Sequence, residues 1–217
     1  MYKIDLHTHS SASPDGGITP TQYKKALDNG LLDAIAITDH NSIAAALKLH
    51  EVLGDSIIVG EEIMTTHGEI IGLFLKEVVP RGLSPLDTVK HIKDQNGIVY
   101  IPHPFETLRK GMDPRTLDEL VDFVDIVEVC NGRAFMQNRS AQAVVWARLN
   151  AKDSAASSDA HGYHGLGRTY NTVSELPTRD NLLSLFDRAV LRTQNPTVRA
   201  LLYPKYHKLR KKLRGQQ

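Results

Sequence analysis

The chain has 217 residues, 41% of them hydrophobic, and a formal net charge of +1. This length suits one sizeable core in a single barrel-sized domain, and the near-neutral charge argues against a strongly basic nucleic-acid binder. A single cysteine, Cys130, excludes an internal disulfide framework and a cysteine-based zinc site; with no long apolar run and a charged first strand, a cytoplasmic protein is expected.

Residues 2–6 read as a strand. Thr19-Pro20-Thr21-Gln22 combines an N-cap, a proline at the first helical position and a capping-box glutamine, and the helix it opens is expected to stop at Gly30. Residues 34–37 form the next strand, followed by a helix from about Ser42 to Gly54. A third strand over 56–60 ends at Glu61-Glu62, and a fourth covers 69–75. Ser84-Pro85 starts a helix that Gly97 closes, and strand five, 98–101, runs into Pro102-His103-Pro104. Asp113-Pro114 opens a short helix, 124–130 is strand six and 135–149 is helical. A weaker strand covers 153–158, another 172–175, and a helix 179–191. Apolar strands alternating with capped helices predict an α/β fold with a parallel, barrel-like sheet. Over 198–213, Val198, Leu201, Leu202, Tyr206, Leu209 and Leu213 are spaced as one face of an amphipathic helix. Lys205, Lys208, Arg210, Lys211, Lys212 and Arg214 form its other face, read as solvated, with RNA or an acidic surface as the alternative contact.

The residues with metal chemistry fall just past strand ends. His7-Thr8-His9 follows the first strand and Asp159-Ala160-His161 the seventh. Residues two apart at a strand end point to the same side, so each pair can reach one divalent ion with imidazole and carboxylate ligands. Asp39-His40 follows the second strand, Glu62 the third, His103 the fifth, and Glu128 and Asn131 close the sixth. In a parallel barrel these ends share one face, which predicts a single metal centre. The prolines flanking His103 predict extended, preorganised backbone there. Arg133 and Arg168 carry guanidinium forks suited to an oxyanion, with plain surface arginines as the alternative. Glu128 is placed to orient a ligand histidine. His50, His91 and His207 are expected to be exposed on helices, and Cys130 is not needed as a nucleophile.

Together Asp5-Leu6-His7-Thr8-His9-Ser10, Thr38-Asp39-His40, Gly60-Glu61-Glu62, Pro102-His103-Pro104 and Ser158-Asp159-Ala160-His161 resemble, in order, the signature motifs of the PHP superfamily, the polymerase and histidinol phosphatase family. The resemblance spans roughly residues 1–192 and leaves 193–217 as the basic helix, packed on the barrel or extending from it. It implies a distorted TIM-like barrel of seven βα units with its metal centre at the strand C-terminal face. It further implies two or three divalent ions: manganese, zinc or iron. His7, His9, Glu62 and Asp159 would hold one ion; Asp15, His40 and His161 would hold another; Glu62 would bridge to an ion also held by His103. Asp15 sits in the loop Ser13-Pro14-Asp15-Gly16, where a plain turn aspartate is the alternative. Relatives often carry histidine where this chain has Glu69; a carboxylate there favours a harder ion such as manganese or magnesium, and His67 is the alternative substitute.

The implied reaction is phosphate-ester hydrolysis by a metal-bound hydroxide. Glu62 and His161 would serve the chemistry, with Arg133, Asn131 and Arg168 on the substrate. A nucleotide or other small phosphomonoester is the first expectation, since no nucleic-acid-binding domain is appended. A phosphodiesterase or 5′-to-3′ exonuclease on short RNA or DNA is the alternative. Histidinol phosphatase and a non-catalytic metal-binding domain are further ones, and no membrane partner is expected.

Overall fold

A computed structural model describes residues 1–134 and 138–213. The first strand, β1 (Tyr2–Asp5), leads through a ligand-rich loop into α1 (Pro20–Asp28). The capping box forms as the sequence requires: the Thr19 hydroxyl accepts from the Gln22 N–H at 3.3 Å, and the Gln22 amide oxygen accepts from the Thr19 N–H at 3.0 Å. The chain continues through β2 (Ala34–Ile37), α2 (Ala44–Leu53), β3 (Ile57–Thr65), β4 (Gly68–Leu73), α3 (Pro85–Asp94) and β5 (Ile98–Ile101). Then follow α4 (Pro114–Glu119), β6 (Ile126–Asn131), α5 (Ser140–Leu149), β7 (Asp153–Ser157), β8 (Tyr170–Val173), α6 (Leu182–Phe186), β9 (Val190–Arg192) and α7 (Val198–Leu213). No helix among the described residues is long and apolar enough to cross a membrane.

Among the described residues nine strands form one sheet, in the order β7-β6-β5-β4-β3-β2-β1-β8-β9. The pairs β1–β2, β2–β3, β5–β6 and β6–β7 are parallel, as a βα barrel demands. In the middle, β4 runs antiparallel to both neighbours, so the sheet is mixed where the sequence predicts parallel strands. The reason is local. Residues 61–65 extend the third strand, and a tight turn at Thr66-His67, with Gly68 at φ +105°, folds it straight back. The charged Glu61-Glu62 pair masked this continuation in the sequence, yet both side chains are buried.

The ends of the sheet meet almost completely. Past their strands, Thr8 and Ala160 form a parallel bridge, with the His9 N–H donating to the Ala160 carbonyl at 2.9 Å. Lower down, the fully buried Asn171 of β8 replaces a missing ladder. Its amide donates to the Ala156 carbonyl and its oxygen accepts from the Ala156 N–H, both at 2.8 Å. Buried backbone groups need such partners. Strand alternation divides the core into two. Ala34 and Ala36 face an inner cluster with Ile4, Ile58, Ile71 and Tyr100, which Leu182 and Phe186 of α6 join. Ile35 and Ile37 face the helices, with Tyr23, Leu49 and Ile92.

Three expectations are corrected. The segment predicted as a helix over 179–191 gives the short α6 and then a strand, β9, which pairs antiparallel with β8; its apolar spacing serves either period. The α5 helix begins at Ser140 rather than 135, with 135–137 outside the described residues. His103 is not extended: its φ is +29°, a conformation costly for a residue with a β-carbon.

Candidate metal centre

The loops that follow β1, β2, β5 and β7, with the facing parts of β3 and β4, converge on one point. The Nε2 atoms of His7 and His9 lie 3.1 Å apart. Glu62, 2% exposed, stands at the centre. One of its oxygens is 3.1 Å from His103 Nε2 and 3.5 Å from His7 Nε2; the other is 3.1 Å from His40 Nδ1 and 3.3 Å from His9 Nε2. Asp159 Oδ1 lies 3.4 Å from His9 Nε2, and Asp159 itself adopts φ +50°. Asp15 reaches His161 Nε2 at 3.4 Å and His40 Nε2 at 3.6 Å. Glu69 stands 3.8 Å from His40 and 3.9 Å from His103. Every residue expected as a metal ligand is therefore in one cluster. His67 is not: it sits in the β3–β4 turn, bonded to Thr66.

The electrostatics suit a cation. Burial would push His7 down, but the carboxylates of Asp159, Glu62 and Glu128 outweigh it and hold His7 well above the usual histidine range. Likewise, burial opposes and Glu62 and Asp15 prevail in raising His40 to about 9. Glu69 goes up to about 9 through burial and then repulsion from Glu62. A metal-free centre thus relies on protons to hold its crowded carboxylates together. His9 is the opposite case: burial and then the neighbouring His161 push it down to about 3, the neutral form a metal requires. Its Nδ1, and that of His103, are buried without a hydrogen-bond partner among the described residues.

Ring orientation points the same way. His7 Nδ1 meets Glu128 Oε1 at 3.1 Å; a carboxylate there accepts, so Nε2 keeps its lone pair for the cluster. Glu128 is itself fixed by Tyr100 Oη at 3.0 Å, the His103 N–H at 2.6 Å and the Asn131 amide at 2.8 Å. His161 Nδ1 donates to the Asp159 carbonyl at 2.9 Å, again freeing Nε2. Asp5, pushed up to about 7 by burial, ties the two motif loops by accepting the Ser158 N–H at 3.0 Å. The donor set, its tautomers and its excess of negative charge all fit divalent ions.

The cluster floors an open cleft of about 490 Å³ whose walls include Asn41, Met64, Leu108, Arg109, Arg133 and Lys208. Arg133 reaches Asp159 Oδ1 at 3.3 Å from the cleft side. Asn131 is fully engaged, by Glu128 and by Arg109 at 2.6 Å, so it supports the site rather than facing a substrate. Arg168 lies to one side, donating to the Asn195 carbonyl at 2.9 Å, and does not line the cleft. Sequence reasoning missed Arg109, which bonds Asp159 Oδ2 at 2.8 Å and is anchored by Glu106; the Glu106-x-x-Arg109 spacing after the His103 turn was its only signal. His207 is not exposed as expected: it stacks on Tyr203, with ring centroids 5.6 Å apart. His50 is half-buried, bonding the Ile57 carbonyl at 2.7 Å, whereas His91 is exposed.

A scan against models of known protein families finds no match. Two curated proteins of Methanocaldococcus jannaschii are similar over most of their length. The uncharacterized protein MJ1587 is 35% identical over 156 residues, covering 66% of this chain and 91% of its own. The uncharacterized protein MJ0417 is 33% identical over 183 residues, covering 80% and 71%. Among solved structures, a two-domain protein from Bacteroides vulgatus containing a predicted PHP-like metal-dependent phosphoesterase superposes with a TM-score of 0.71 at 22% identity, over 95% of this chain and 69% of its own. A putative metal-dependent phosphoesterase from Bifidobacterium adolescentis gives 0.60 at 17%, over 86% and 96%. The lesion-specific endonuclease PfuEndoQ from Pyrococcus furiosus gives 0.61 at 16%, over 88% and 57%. The chain belongs to one family with the two archaeal proteins, and it shares its fold with the PHP-like phosphoesterase structures.

Proposed function

We propose that this protein is a metal-dependent phosphoesterase that hydrolyses a small phosphomonoester, a nucleotide foremost. One observation carries the reading: five histidines and four carboxylates converge at the floor of a cleft that also presents Arg133. Two or three ions, of manganese, zinc or iron, fit this donor set, and Glu62 would be shared between them. His7, His9 and Asp159 would hold one ion; His40, Asp15 and His161 a second; His103 and Glu69 a third. Bound divalent ions supply an activated water and positive charge opposite the phosphoryl oxygens.

The chain's own groups do the rest. Glu128 holds His7 Nδ1–H and the backbone N–H of His103, fixing one ring and the turn that carries the other. Arg109 and Arg133 grip Asp159 from two sides. Arg133 also lines the cleft and would meet the phosphoryl oxygens as charge redistributes towards the transition state. His161 acts as a ligand rather than a proton donor, because Nδ1–H is spent on the Asp159 carbonyl and Nε2 faces Asp15. Cys130 has no part: burial pushes its thiol up, away from the reactive thiolate.

A phosphodiesterase or exonuclease acting on short nucleic acid is the second reading. Its support is the basic residues of α7 beside the cleft and the endonuclease among the structural neighbours. The test is a screen of purified protein with manganese, zinc, iron or magnesium against mononucleotides, bisphosphates, histidinol phosphate and short oligonucleotides. Metal-dependent release of phosphate from small esters supports the first reading. Cleavage of oligonucleotides alone supports the second, and no turnover on any ester contradicts both.

A further inference from the structure

The α7 helix is seated on the metal loops rather than attached at random. Tyr203 lies where two glycines leave room. A β-carbon at Gly17 would fall 2.6 Å from its hydroxyl, and one at Gly162 would fall 2.9 Å from its ring. These glycines stand two residues after Asp15 and one after His161. Further along the helix, Lys211 donates to the carbonyls of Ser11 at 2.9 Å and Ser13 at 2.6 Å, clasping the loop that carries Asp15. Between these two anchors, Lys208 lines the cleft together with Asp15, His40, Arg133 and His161. Arg109 is committed to Glu106 and Asp159, and Arg133 stands over Asp159, beside where the reacting phosphoryl group would lie. Lys208 makes no hydrogen bond or ion pair with the described residues, so its charge is left for something that enters the cleft.

We infer that α7 is the substrate-recognition arm of the site, and that Lys208 reads a second anionic group on the substrate, a phosphate or carboxylate beyond the one being hydrolysed. This rests on the phosphoesterase reading. The transferred phosphoryl group has the metal ligands and Arg133 to meet it, whereas Lys208 comes from outside that cluster on a long stem. A lysine acts there as a movable point charge, fitted to a group whose position varies more than that of the reacting phosphorus.

The experiment measures binding by calorimetry, using the full metal-loaded chain and three non-hydrolysable probes: methylphosphonate, phosphonopropionate and propylenediphosphonate. Lys208→Ala should weaken the two doubly anionic probes about tenfold or more relative to methylphosphonate, as loss of one charge-assisted bond predicts. Lys208→Arg should restore most of that preference, and Lys205→Ala, on the exposed face of the same helix, should leave all three affinities unchanged. A response confined to the diphosphonate identifies the second group as phosphate; a response of both admits a carboxylate. An equal loss for all three probes, or no loss, overturns the inference. If methylphosphonate binds with metal but no ester is ever hydrolysed, the phosphoesterase reading falls while the binding comparison still decides the role of Lys208.

Discussion

Replacing Glu62 by glutamine removes the single negative charge that four imidazoles share at 3.1 to 3.5 Å. Glu62 is held well below the usual carboxylate range although burial opposes it, because His40 and His7 outweigh that cost. An amide occupies the same volume but cannot bridge two cations. A unit charge about 4 Å from another contributes about 4 kcal/mol at an effective dielectric of about 20, and each 1.4 kcal/mol is a factor of ten. The affinity for at least one ion should therefore fall about a thousandfold or more, and turnover by several orders of magnitude. Glu61 is the internal control. It alternates to the opposite face of β3, is fully buried, and accepts the Val79 N–H at 2.8 Å; glutamine retains that acceptor. The assay is elemental analysis of the two variants after dialysis against a weak chelator, with rates on a phosphate ester and circular dichroism as a check of fold. Equal metal content and equal rates in Glu62→Gln and Glu61→Gln would refute the bridging role.

Metal binding should release protons. His7 and His40, raised in the metal-free chain, must give up theirs, as must Glu69, so the calorimetric heat near neutral pH should vary with the ionisation enthalpy of the buffer; heats independent of buffer would contradict this. Asn171→Ala strips both Ala156 backbone groups of their partner and should cost about 3 kcal/mol, or roughly 6 to 12 °C in Tm, by thermal unfolding; an unchanged Tm would mean that barrel closure does not depend on it. Asp153 is pushed up to about 6 by burial and then by Asp187 and Asp125. A carboxyl raised in the folded state contributes stability below its unfolded value that is lost as pH rises through its folded one. Asp153→Asn should therefore gain stability over the native chain progressively from about pH 4 to about pH 7, and a gain that does not vary with pH would contradict this.

Much of the site was legible because its ligands come in short local motifs at strand ends, where residues two apart share a side. His7 and His9, or Asp159 and His161, declare themselves in three residues. The capping box of α1, the serine cap of α3 and the proline starts of both are equally local. What stayed hidden depends on tertiary contacts. The antiparallel β4 follows from a turn whose strands continue through two glutamates, and only burial shows that Glu61 and Glu62 belong to a strand. The segment holding α6 and β9 carries apolar residues that satisfy both periods, so sequence alone could not divide it. The docking of α7 rests on Gly17 and Gly162, far apart in the chain, leaving room for one tyrosine. The basic residues expected to be solvated include Lys211, which the fold uses to clasp a loop, while Arg214 lies outside the described residues.

The most direct measurement is anomalous X-ray scattering from crystals of the native chain grown with manganese, collected on either side of the metal's absorption edge. Two or three peaks should lie within the cluster, one between His7 Nε2, His9 Nε2 and Asp159, with Glu62 shared between neighbouring peaks. Crystals of active protein with no anomalous peak among these side chains would contradict the metal centre.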